Sequence, residues 1–248
     1  ASEVIKTSKI SPIIEPVKKS SSLEIGLREL KNHDVNFNVI LNPENGSLTK
    51  NSKLIIETLE QNLNNYSNFQ IGIIIQNKKI QYDKLFSMIQ ESTLSTRNLM
   101  FIYLEELEET EIIDALAETY TLNVKYNVVD LRKTGRRYYK KFDRQTVVSL
   151  DDYFDAKSRN KDYLEKPCSF FTDEHLYFRE SGFVGFADFL TIGDSYSETG
   201  ALPYAIAIHI SFIDHLNKIR VMHFVSDSNE DQADIAGKFA EAVSKLVD

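Results

Sequence analysis

Short apolar runs recur along the chain, and between them lie longer segments whose apolar residues return at helical spacing. That alternation predicts βα units built around a parallel sheet. Ile10 to Glu15, Phe37 to Asn42 and Phe69 to Gln76 open the series of strands, and Leu99 to Leu104, Val124 to Val129 and Thr146 to Leu150 continue it. The run Ile71-Gly72-Ile73-Ile74-Ile75 is apolar throughout, as a strand covered on both faces must be. Phe183 to Ile192 and Ala205 to Phe212 bring the count to eight, the number that closes a barrel. Helices fit Ser22 to Lys31, Leu48 to Tyr66, Tyr82 to Ser92, Glu109 to Tyr120 and Asp231 to Val247. The expected fold is α/β: a TIM-barrel-like parallel β/α barrel, irregular in its C-terminal third, in one domain over residues 1–248.

The rhythm breaks after residue 150. The stretch 151–177 is too long for a standard βα connection and reads as a lid, an inserted subdomain or a functional loop. Further on, Ile206 to Phe212 and Ile219 to Val225 flank Asp214-His215-Leu216-Asn217, which has the look of a hairpin. A distorted barrel and an open doubly wound sheet both accommodate this irregularity.

A chain of 248 residues with 42% hydrophobic and 27% charged residues is ordinary globular material. Its net charge of −8 argues against broad coating of nucleic acid or anionic lipid, leaving room only for a local basic patch. The single cysteine, Cys168, excludes an internal disulfide and a Cys-rich zinc site, and with no flanking histidine it reads as a core thiol. No apolar run approaches the ~20 residues that span a bilayer, and no signal-peptide pattern opens the chain, so a cytoplasmic protein without membrane partners is expected. The start at Ala1-Ser2-Glu3, without methionine, points to an upstream stretch that is processed, removed or otherwise not included.

In a barrel of this class the active site forms where strands end and βα loops begin. Glu15, Asn42, Gln76, Glu105, Asp130 and Asp151 stand at those ends, although any strand leaving a core must become polar. Gly193 to Gly200, with Ser195 and Ser197, follows the seventh expected strand, where barrels hold phosphate on backbone N–H groups; a surface turn has the same composition. Neither a P-loop nor a dinucleotide glycine pattern occurs.

His209 lies between Ile208 and Ile210, and His223 between Met222 and Phe224. If their strands pair, the imidazoles approach each other and Asp188 or Asp227, giving either a general acid/base, a two-histidine, one-carboxylate metal set, or a hydrogen-bonded core pair. Arg136-Arg137-Tyr138-Tyr139-Lys140-Lys141 is the dense cationic cluster, either an anion site with aromatics to stack on bases or a solvated helix face. Arg159-Asn160-Lys161-Asp162-Tyr163 adds a second polar group.

Several motifs taken in order carry a resemblance: Pro12-Ile13-Ile14-Glu15-Pro16-Val17-Lys18, Arg159 to Tyr163, Phe170-Phe171-Thr172-Asp173-Glu174-His175, Gly182 to Phe189, Ala205 to His209 and His223 to Asp227. Together they resemble an uncharacterised bacterial family known by an "sce" locus-tag name, distantly similar to the phage beta-protein family. The family usually carries a further N-terminal segment with Tyr-Pro and Gly-Lys patterns that this chain lacks. The resemblance implies a recurrent polar set, Glu15, Lys18, Asn160, Asp162, Asp173, Asp188 and His209, and a smaller partner protein encoded by a neighbouring gene. Its setting is mobile elements or phage defence, and it names no reaction.

Two functions follow as expectations. The first is a hydrolase-like or phosphodiester-handling barrel in which Glu15, Asp188 and His209 activate water or hold a divalent metal. Lys18, Asn42, Gln76, Arg136, Arg137, Asn160, Asp162, Asp173, Ser195 and Ser197 would then contact substrate. The second is a non-catalytic recognition subunit that binds a partner protein or nucleic acid through the same residues.

Overall fold

The computed structural model describes residues 2–8, 10–77, 82–108, 110–135, 137–197 and 202–247. They fall into two compact units, Ala1–Leu150 and Asp151–Asp248. The first alternates helix and strand: α1 (Ser2–Thr7), β1 (Ile13–Ile14), α2 (Ser21–Asn32), β2 (Phe37–Ile40), α3 (Ser52–Asn62), β3 (Phe69–Ile75), α4 (Tyr82–Gln90), β4 (Asn98–Tyr103), α5 (Thr110–Thr119), β5 (Asn123–Asp130) and β6 (Val147–Leu150). A 3-10 turn, Tyr138–Lys141, replaces a helix between β5 and β6.

Strands β1 to β6 lie side by side in chain order, and each neighbouring pair is parallel. Parallel crossovers are right-handed in nearly all proteins, so chain-order strands place successive helices on one face. Consecutive helices from α2 to α5 accordingly touch. Phe37 stacks on Phe69 at 5.8 Å, and Phe101 on Phe86 of α4 at 6.0 Å, filling the layer beneath them.

On the other side of the sheet, a Cβ added at Gly72 would stand 3.0 Å from Ile40 Cγ1 and 3.6 Å from Ile102 Cδ1. The glycine lets two isoleucines from flanking strands close over β3. Helix starts are set by side chains, Ser20 Oγ accepting the Leu23 N–H at 3.2 Å and Asn51 Oδ1 accepting the Leu54 N–H at 3.2 Å. The Asn51 cap makes α3 begin later than its apolar pattern suggests, leaving Leu48 buried in a loop.

The sheet does not close into a barrel. Among the described residues β1 pairs with β2 alone, and of the two runs expected to complete eight strands one supplies a strand of only three residues and the other lies in a different sheet. Residues 183–192 form only the short β8 (Gly185–Ala187), and 205–212 enters an antiparallel sheet of the second unit. The reason is the turn after Ile213. Asp214 Oδ1 accepts the N–H groups of Leu216 and Lys218 at 2.9 Å each, and Asn217 takes the left-handed conformation at φ 58. Arg220 Nε closes on Asp214 Oδ2 at 2.6 Å, helping to pull that carboxyl down to about 2. A turn locked in this way reverses the chain into a hairpin, which no parallel βα unit can contain.

The second unit also holds β7 (Cys168–Thr172), α6 (Glu174–Tyr177), β9 (Ala207–Ile213), β10 (Ile219–Val225) and α7 (Ile235–Val247). Its sheet runs β7-β10-β9, antiparallel throughout. The stretch that reads as a connection thus supplies a 3-10 turn, Asn160–Glu165, and strand β7, where Cys168 is half-buried. No described helix is long and apolar enough to cross a membrane.

Replacing Gly72 with valine should lower the stability of the protein by about 1–3 kcal/mol, the usual cost of overpacking, because both neighbours are held by their own strands. Urea denaturation followed by circular dichroism measures it; an unchanged midpoint would show that Ile40 and Ile102 yield freely.

Candidate functional site

The parallel strands bring Glu15, Asn42, Gln76 and Glu105 to one end of the sheet of the first unit, and each is engaged by a neighbouring loop. Glu15 Oε1 accepts the backbone N–H groups of Glu44 and Asn45 at 2.7 and 3.2 Å. Asn42 continues the ladder beyond β2, donating from Nδ2 to Ile74 O at 2.7 Å and accepting the Ile74 N–H at 2.9 Å. Gln76 Nε2 donates to Glu44 Oε1, and Glu105 Oε1 accepts the Asn77 N–H. Glu106 Oε2 takes the Gly135 N–H at 3.2 Å.

Gly46, at φ 78, lies so close to Val17 that a Cβ there would meet Val17 O at 2.0 Å, which fits the loop after β2 tightly to the loop after β1. Lys18 is exposed on that first loop. Asp130 is wholly buried at the end of β5, where its carboxylate accepts the N–H groups of Arg132 and Lys133 and pairs with Arg132 Nη2 at 2.8 Å.

The cationic cluster is divided. Tyr138 is buried, its hydroxyl accepting the Leu107 N–H at 3.2 Å, while Lys141 lies over the Tyr138 ring and donates to Leu107 O at 3.2 Å. Arg137 and Lys140 are exposed, and Arg136 lies outside the described residues.

In the second unit one N–H of the stretch Gly193 to Gly200, that of Asp194, is turned onto a carboxylate, and residues 198–200 lie outside the described residues. Asp152 accepts the Asp194 N–H on Oδ2 at 3.0 Å and the Phe154 N–H on Oδ1 at 3.1 Å. Ser195 and Ser197 are exposed, and Ser195 Oγ donates to Asp194 Oδ1 at 3.3 Å. Asp173 pairs with Lys218 at 3.1 Å and Asp162 with Arg159 at 2.7 Å. Asp188 Oδ1 accepts the Leu190 N–H at 2.7 Å, and burial pushes its carboxyl up.

The two histidines do meet. His209 and His223 are directly opposite in the β9–β10 register. The bonds Asp214 N–H to Lys218 O and Ser226 N–H to Ile206 O place the ladder bonds at even-numbered residues of β9, so this pair is a non-bonded one with closely set side chains. The two Nδ1 atoms stand 2.7 Å apart, and His223 Nε2 lies 2.9 Å from Ser169 Oγ on β7. The Tyr163 ring covers both imidazoles at 4.6 Å, and Phe154 packs on His209 at 5.1 Å. Burial holds both below the usual histidine range, and for His223 burial and the neighbouring His209 bring the value to about 4. Neutral at pH 7, the pair shares one N–H. Neither Asp188 nor Asp227 is bonded to it, since Asp227 pairs with Lys245 at 2.6 Å. Among the described residues no group of three or more His, Cys, Asp or Glu side chains is arranged to hold a metal ion.

Beside Tyr163 the segments 158–161 and 203–205 form a cleft of about 350 Å³. Asn160 ties its two walls, donating from Nδ2 to Ala205 O at 2.8 Å. Ser158, Arg159, Lys161, Pro203 and Tyr204 complete the lining. The sequence reading does not include Tyr204; an aromatic directly after Pro203 is its available sign. No family model matches the chain, and no curated protein and no solved structure matches it.

The histidine pair makes stability depend on pH with a definite sign. The folded value of about 4 for His223 lies below the ordinary ~6.5, so the unfolded chain binds the proton first. Stability is therefore complete above ~6.5 and is lost as pH falls toward ~4. Urea midpoints of the wild type and of His223→Gln, compared across this window, should converge as pH falls. Parallel curves would show that the imidazole carries no such linkage.

Proposed function

We propose that the protein is a recognition module whose second unit binds a phosphate-bearing, nucleic-acid-like ligand in the cleft formed by residues 158–161 and 203–205. The observation that carries this reading is the cleft itself. Its volume of about 350 Å³ falls within the range of small-ligand sites, roughly 300–1,000 Å³. It also joins two cations, Arg159 and Lys161, to an amide and an exposed aromatic ring, Tyr204. Cationic side chains suit phosphate, and a tyrosine face suits a base. Arg159 is held by Asp162 through Nε and Nη2, which fixes its orientation at the mouth. The run from Lys157 to Lys166 carries four basic and two acidic residues within a chain of net charge −8, so positive potential concentrates there.

Recognition is favoured over hydrolysis by how the polar groups spend their lone pairs. A general base must accept a proton from substrate or water. Glu15 holds two backbone N–H groups on Oε1, Asp188 holds one on Oδ1, Asp130 is buried in its own turn, and the Nδ1 atoms of His209 and His223 are spent on each other. A hydrolytic role rests on the polar residues Glu15, Asp188 and His209 alone, whereas a place in phage defence and a partner protein encoded nearby rest on the family resemblance. A cytoplasmic location rests on the single Cys168 and the apolar pattern.

Fluorescence anisotropy with a labelled single-stranded oligothymidylate tests the reading. Lys161→Ala should weaken binding several-fold and reduce the salt slope by about 0.7, the value for one phosphate contact on a single strand. Tyr204→Ala should cost about 1–3 kcal/mol of stacking. An absence of binding at low salt, or binding that ignores both substitutions, overturns it.

A further inference from the structure

Strand β9 is an edge of its sheet. Its even-numbered residues bond to β10, so the backbone N–H and C=O groups of Ala207, His209, Ser211 and Ile213 point away from the sheet. Natural edge strands are usually blunted by charge, proline or a bulge. The sequence Ala-Ile-His-Ile-Ser-Phe-Ile has no Asp, Glu, Lys, Arg or Pro, and the β9–β10 register runs without a shift. Its distal half is open, with Ile210 41%, Phe212 37% and Ile213 64% exposed; Phe170 on β7, which shares the face of Ile210 and Phe212, is 44% exposed.

We propose that two copies of the chain pair antiparallel through β9, extending the sheet across a two-fold axis at Ile210. A two-fold contact requires a surface complementary to itself, and β9 is such a surface in two respects. With the axis at Ile210, Ala207 faces Ile213 of the other copy and His209 faces Ser211, so the outward-pointing residues meet one another. On the apolar face, Ile208 then lies opposite Phe212 of the other copy and Ile210 opposite its own equivalent. Aromatic and β-branched cross-strand pairs of this kind are the stabilising ones.

Area and charge set the strength. A seven-residue strand is about 24 Å long, and a sheet about 10 Å thick, so edge pairing covers roughly 240 Å² per copy. Stable interfaces need about 800 Å² per partner. The dimer is therefore weak and concentration-dependent. Each copy carries net charge −8, while β9 has no acidic or basic side chain, so screening the repulsion between copies strengthens association.

Sedimentation velocity on the full chain, from about 1 to 500 µM, covers the range of affinities expected of so small an interface. The wild type should shift from monomer toward dimer with rising concentration, and further in high salt. Ser211→Pro removes an outward N–H, and Ile210→Lys places a charge on the axis. Both should stay monomeric with melting temperatures near that of the wild type, and should either fail to fold, the other still decides. A wild type that is monomeric throughout, or a dimer that survives in a folded variant, overturns the proposal.

Discussion

Every strand of a parallel sheet that leaves a two-sided core hands the chain to a loop whose first N–H groups have lost the ladder, and those groups need acceptors. In the first unit this need organises the whole carboxyl end of the sheet. Glu15 takes the N–H groups of the loop after β2, Glu105 one from the loop after β3, and Glu106 one from the loop after β5. Asn42 does the same with its amide, standing in for one more residue of ladder between β2 and β3. Each clasp joins two loops that are remote in sequence and adjacent in space, so the polar rim follows directly from strand order.

The second unit solves a different problem, that of an antiparallel hairpin carrying two imidazoles inward. The Asp214 turn fixes the register, the register makes His209 and His223 opposite, and their non-bonded position brings the rings within reach. Packed beneath Tyr163, the pair satisfies its facing nitrogens internally, and His223 Nε2 reaches Ser169. A buried and a half-buried neutral ring sharing one hydrogen are compatible with a core, whereas two charged rings at that distance are not.

The sequence disclosed the first unit well because its signals are local. Ile71 to Ile75 reads as a strand buried on both sides, and the helical spacing from Ser22 to Lys31 falls within α2, so strand order and most helix limits are readable from spacing. The second unit was less legible. β7 is only five residues, two of them polar, and its partner β10 lies about fifty residues away, a pairing no periodicity reports. The hairpin of β9 and β10 was visible from its turn. Its consequence, that the eighth strand leaves the parallel series, depends on which sheet the hairpin joins. At the candidate site the residue types were visible but their engagements were not: Glu15 looked like a free carboxylate until the loop after β2 was placed beside it.

That distinction separates the rim of the first unit from the cleft of the second. A polar side chain contributes to binding only through atoms left over after its own structure is satisfied, because a bond already made must be broken before another is gained. At the rim of the first unit, Asn42 has both ends of its amide engaged, and Glu15 and Glu105 each commit Oε1 to backbone N–H groups, so any use of these atoms by a ligand would unfasten the loops that shape the rim. At the cleft of the second unit the division is different. Asn160 and Asp162 hold the walls and the Arg159 guanidinium, while the Tyr204 ring stands half exposed. Surface that can be covered without dismantling its own support is concentrated there.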